Sequence, residues 1–171
     1  MKKYLLLMAS TLIASISLAQ KHDQREHGAH VHGSAELGIA FEKAIGKIEF
    51  KSSADSIVGF EHKAVKSADR SKLEASLKTF EAKLFEMIVF EKNLQCVFTK
   101  ETLEPIYESE SHSDIVGRFS VTCARSPAGT TLTFNFQKTF PNLKDIDTQI
   151  IVDELQKSAE IKSNGQKIEL K

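Results

Sequence analysis

Ser34-Ala35-Glu36-Leu37-Gly38-Ile39-Ala40-Phe41, then after a short break Lys47-Ile48-Glu49-Phe50-Lys51-Ser52, is the stretch that decides the fold. Leu37, Ile39, Phe41, Ile48 and Phe50 alternate with smaller or charged residues. Successive side chains of an extended chain leave on opposite faces, so a period of two marks a half-buried strand. The pattern reaches back into a run of histidines: His30, His32, Ser34 and Glu36 share one face, and Val31, Ala35, Leu37, Ile39 and Phe41 the other. Gly33 and Gly38 weaken the strand or mark bulges. With a turn near Lys43 to Gly46, residues 34–52 predict a β-hairpin.

Beyond it, Ile57-Val58-Gly59-Phe60-Glu61-His62 is apolar enough for a short strand but equally reads as a loop. Leu73, Leu77, Phe80 and Leu84 then recur at helical spacing, with lysines and glutamates opposite. They predict the main helix over about 67–86, capped through Ser71 with Glu74 or from Ser67 or Asp69. The second half is strand-rich: 95–103, 115–123, 131–137, 145–152 and 167–170 carry β-branched or aromatic residues between turn signals. Phe140-Pro141-Asn142-Leu143 reads as a connector and Ser163-Asn164-Gly165-Gln166 as a late hairpin turn. The expected class is α+β, mainly antiparallel sheet with one main helix. Phe60, Phe134, Phe136 and Phe140 are expected to pack the core.

The amino end explains where such a chain goes. Lys2 and Lys3, the apolar run Leu5 to Leu18 and the small residues Ser17-Leu18-Ala19 form a secretory signal peptide, cleaved after Ala19. The run is too short for a membrane span, which needs about 20 apolar residues, and no later run is long enough. No cysteine stands at the cleavage point to carry a lipid. Residues 20–171 are expected to form one domain, or two small subdomains, 20–92 and 93–171, sharing a core. Lys and Arg total 23, as do Asp and Glu, which gives no electrostatic reason to expect nucleic acid or anionic lipid as a partner.

Cys96 and Cys123 are the two cysteines. In an oxidising compartment an even pair reads as a disulfide. Pairing 95–103 with 115–123 as a hairpin brings the two face to face. Their alternative use as zinc thiolates lacks the short spacing of zinc knuckles.

His22, His27, His30 and His32 place four of the six histidines within residues 22–32. Imidazole is the commonest side-chain ligand of divalent transition metals. Two residues along a strand advance about 6.6 Å on one face, so His30 and His32 can tilt toward one ion. Gly28 leaves the chain free to fold His27 back. Three imidazoles with a fourth ligand suit zinc; His62 is the distant candidate, with Glu36 and Glu61 as oxygen donors. The competing reading is a set of solvated polar residues. Imidazole alone does not separate zinc from copper or nickel. Cleavage after Ala19 also makes His22 third in the chain, a position that with the free amine and two amides suits square-planar Cu(II) or Ni(II), or binds nothing. His112, inside Glu108-Ser109-Glu110-Ser111-His112-Ser113-Asp114, reads as a solvated loop or an accessory site. No His-Glu-x-x-His, Gly-x-Ser-x-Gly or phosphate-cradling loop is present. Without such motifs, a zinc-dependent hydrolase ranks below binding, and a metal-free envelope interaction domain is the other alternative.

With these residues the chain resembles the ZrgA family of periplasmic zinc-uptake accessory proteins. The resemblance rests on Arg25-Glu26-His27-Gly28-Ala29-His30-Val31-His32-Gly33 with Ala35-Glu36-Leu37, and on Ile57-Val58-Gly59-Phe60-Glu61-His62. Cys96, Cys123, Phe140-Pro141 and Ile146-Asp147 follow in family order. It implies a periplasmic zinc-binding protein without catalysis that assists high-affinity import beside an ABC-type importer or its binding protein. By position it implies His27, His30, His32 and His62 as metal-associated residues. Many members carry a long histidine- and acid-rich loop in the second half. Here 104–114 is short, with Glu108, Glu110, His112 and Asp114, which argues against storage of many ions.

Overall fold

The alternating stretch forms a hairpin. β1 (Ser34–Glu42) and β2 (Ile45–Ser53) pair antiparallel from Ala35 opposite Ser52 to Glu42 opposite Ile45. Ala35, Leu37, Ile39, Phe41, Ile48 and Phe50 are buried on one face. Lys43 takes φ +54° in the two-residue turn, where its N–H donates to Asp153 Oδ1 at 2.7 Å. Gly38 is not a bulge: it faces Glu49 and Gln149 in unbroken register, with no residue inserted. The structure is a computed structural model that describes residues 32–171. The signal peptide, His22, His27 and His30 lie outside the described residues.

Two helices follow, α1 (Ala54–Val58) and α2 (Ser67–Met87), then β3 (Ile88–Val89) and a single 3₁₀ turn at Lys92–Leu94. The second half runs β4 (Val97–Tyr107), β5 (Ser113–Thr122), β6 (Thr131–Phe134), α3 (Phe136–Thr139), β7 (Asp145–Val152), β8 (Leu155–Ile161) and β9 (Gln166–Glu169). Strands from both halves interleave in a six-stranded sheet of order β4-β5-β2-β1-β7-β8, while β3-β6-β9 make a second, three-stranded sheet. All pairings are antiparallel except β1 with β7. The class is α+β with one main helix.

Aromatic residues join the layers. From α2, the Phe80 ring lies 4.8 Å from Phe50, 6.1 Å from Phe119 and 5.6 Å from Phe140. Phe136 stacks on Phe50 at 6.0 Å. Burying each such ring contributes roughly 2–3 kcal/mol. The main helix therefore docks on the large sheet through a phenylalanine cluster.

Several expectations are corrected. Ile57-Val58 close a short helix, because Gly59 at φ +85° ends α1 and its N–H bonds Asp55 O at 2.9 Å. The cap of α2 is Lys66, with no side-chain cap bond; Asp69 still sits in the first turn, where a carboxylate suits the helix dipole. Residues 136–139 are helical, so the strand expected over 131–137 stops at Phe134. Ser163–Gln166 does turn, but it joins β8 to β9 in different sheets, so no hairpin results. β8 itself carries Gln156, Lys157, Ser158 and Glu160, the polar composition of an edge strand, and had no strand signal.

The disulfide forms: Cys96 and Cys123 are bonded with S–S 2.02 Å. Val97 faces Thr122 in the β4–β5 register, so the bridge sits at the next pair and staples that ladder's open end.

Candidate metal centre

The topology brings the start of β1, the ends of β2 and β4 and the starts of β5 and β7 to one end of the large sheet. His32 stands at that end, one residue before Gly33. Gly33 takes φ +90°, and a Cβ there would meet Lys144 Cγ at 3.0 Å and Asn142 O at 3.2 Å. Its N–H donates to Ser56 Oγ at 3.0 Å, and its carbonyl accepts from Lys144 N at 2.6 Å and Asp145 N at 3.2 Å. The chain beside His32 is thus pinned to α1 and to the start of β7.

Past Gly59 the chain runs Phe60-Glu61-His62 without regular structure. Phe60 and His62 stack, ring centroids 4.5 Å apart, and Lys72 Nζ stands 5.5 Å from the Phe60 ring. His62 Nε2 pairs with Asp69 Oδ2 at 3.2 Å. Glu61, between them, takes different partners and is only 9% exposed. Ser113 Oγ donates to its carbonyl at 2.7 Å, and Lys63 N donates to Glu110 O at 3.3 Å, so this segment is laced to the β4–β5 turn.

Two histidines meet the buried carboxylate. His112 Nδ1 hydrogen-bonds Glu61 Oε2 at 3.0 Å. His32 Nδ1 lies 3.3 Å from Glu61 Oε1 and 3.6 Å from Asp55 Oδ2. Oε1 is buried and has no hydrogen bond among the described residues; His32 Nδ1 stands 3.3 Å from it without making one. Burying a carboxylate oxygen without a partner costs free energy, and such an atom calls for a cation or a donor.

Glu36 is placed elsewhere. It sits on the outer sheet face, facing Lys51 on β2 and Asp147 on β7. There it lines a shallow groove of about 850 Å³ with Glu49, Arg118, Gln149 and Glu160. Among the described residues, no group of three or more His, Cys, Asp and Glu side chains is arranged to hold a metal ion. Nothing in the sequence of Ala54–Val58 marks Asp55 as a carboxylate that faces a histidine; the fold alone brings it to His32. Near the same end, Lys51 Nζ reaches buried Asp114 Oδ2 at 3.0 Å, and this hydrogen bond holds the lysine pKa above its ordinary value despite partial burial.

Fold and site together define an α+β protein with a histidine–carboxylate cluster at one end of its main sheet. The family model of the ZrgA family zinc uptake protein matches residues 29–170, and the chain belongs to this family. A search of curated proteins finds no match. Among the described residues no helix is long and apolar enough to cross a membrane.

Proposed function

We propose that the protein is a periplasmic zinc-binding accessory of zinc uptake, released by cleavage after Ala19 and acting without catalysis. In this reading His27, His30 and His32 capture the ion with a further donor from the folded domain, and pass it to an ABC-type importer or its binding protein. Family membership supports the zinc role. The disulfide supports an oxidising compartment.

The observation that carries the reading is Glu61. A buried carboxylate with one oxygen lacking a hydrogen bond faces His32 directly beyond the histidine run. Imidazole nitrogens suit zinc, which binds them at about 2.0–2.1 Å, and a carboxylate behind such rings holds them in place for the ion.

Calorimetric titration of the mature chain with zinc tests it. The wild type should bind, and the double variant His30→Ala/His32→Ala should bind at least ten times more weakly. Equal affinity in the two proteins overturns the site. A wild type that takes up no zinc overturns the function.

A further inference from the structure

We propose that Glu61 is a positioning residue that turns Nδ1 of both His32 and His112 toward itself, so that the β4–β5 turn contributes His112 to the zinc site and both rings meet the metal through Nε2. The inference rests on the zinc reading above and adds the fourth donor and the nitrogen each ring uses.

The geometry is asymmetric and informative. Oε2 holds His112 by a 3.0 Å hydrogen bond. Oε1 stands 3.3 Å from the same nitrogen of His32 but is not yet bonded. A modest rotation of the His32 ring, which is 62% exposed, completes the second bond and satisfies the buried oxygen. A metal-bound histidine commonly donates its other ring N–H to a carboxylate, which fixes the tautomer and raises ligand basicity. One buried glutamate doing this for two rings accounts for a charged side chain at 9% exposure.

The turn is built to hold His112 in place. Its N–H donates to Ser109 Oγ at 3.1 Å, and its carbonyl accepts from Glu108 N at 3.0 Å and Ser109 N at 3.2 Å. His62 is the alternative fourth donor. Its Nε2 pairs with Asp69 Oδ2 at 3.2 Å and its ring stacks on Phe60, so it does not share the buried carboxylate that meets His32 and His112.

The test combines zinc calorimetry with nitrogen-15 NMR of the histidine rings on the mature chain, comparing wild type, Glu61→Gln, His112→Ala and His62→Ala. The metal-free wild type should show His112 protonated at Nδ1, and zinc should shift Nε2 of His32 and His112. Glu61→Gln should weaken zinc binding roughly 10–100-fold and lose the fixed Nδ1–H form of one ring. His112→Ala, at an exposed turn position, should weaken zinc binding to a similar degree with the fold intact, which keeps the test valid if Glu61→Gln misfolds. His62→Ala should leave affinity within a factor of about two. Coordination of either ring through Nδ1 overturns the proposal, as does full affinity in His112→Ala with loss in His62→Ala. In those cases zinc still binds and only this inference falls; absence of zinc binding in the wild type removes the functional reading itself.

Discussion

Lys51 and Asp114 show how one residue pair supports the end of the sheet that carries the histidines. Asp114 is 2% exposed, and Lys51 reaches it diagonally from the neighbouring strand, where Lys51 faces Val116 and Asp114 faces Ser53. Its raised pKa means that the folded state binds the lysine proton more tightly than the unfolded state does. The contribution is therefore complete below the unfolded value, about 10.5, and is lost as pH rises through the higher folded value. Lys51 is half exposed, so solvent screening limits the pair to about 1 kcal/mol. Urea melts of Lys51→Met should show about that loss at pH 8, and a smaller difference from the wild type above pH 11. An undiminished difference there would remove the lysine charge as the cause. Gly33→Ala tests the backbone in the same way. A side chain at φ +90° that also meets Asn142 O should cost about 1–3 kcal/mol. The same change should weaken zinc binding, since it moves the residue next to His32.

Among the elements, the β1–β2 hairpin and α2 were legible because each has one buried face and one wet face, and period is then visible in composition. α2 shows it through Phe80, Leu84 and Met87, all buried. Phe80→Ala should cost about 3–5 kcal/mol in a denaturant melt, more than truncating exposed Phe85 on the same helix. β8 was illegible because an edge strand that is largely exposed has no apolar face to announce it. The disulfide was legible from an even cysteine count, and its energetic effect follows from the 27-residue separation. Loss of it in Cys96→Ala/Cys123→Ala should lower stability by about 3–4 kcal/mol in the chain-entropy account. An unchanged urea midpoint would mean that the β4–β5 ladder alone holds the hairpin. Of the site, single histidines and carboxylates were legible as chemistry, but their convergence was not. Glu61 and His112 lie 51 residues apart and meet because the segment after α1 docks on the β4–β5 turn. Asp69 looked like a helix cap and instead holds His62, a choice between two local partners that sequence does not rank.

At the scale of the molecule, the candidate site touches three segments that are distant in sequence: the start of β1, the chain around Glu61, and the β4–β5 turn. An ion bound there cross-links them, and its binding free energy adds to the stability of the folded state alone. At a free zinc concentration 100 times the dissociation constant the gain is about 2.7 kcal/mol. For a chain of this size that corresponds to a rise in thermal midpoint of about 8–10 °C. The rise should be absent in His30→Ala/His32→Ala and should reverse on addition of a chelator. Amide exchange should locate it as well, since linking these segments suppresses their local opening more than that of the rest of the fold. Added protection is expected at residues 33–34, 60–63 and 108–113, while β8, at one edge of the large sheet, and β9, in the three-stranded sheet, should exchange as before. A midpoint unmoved by zinc would fit an interaction domain that uses no metal. A rise with protection confined to the outer sheet face near Glu36 would place the ion in the groove instead.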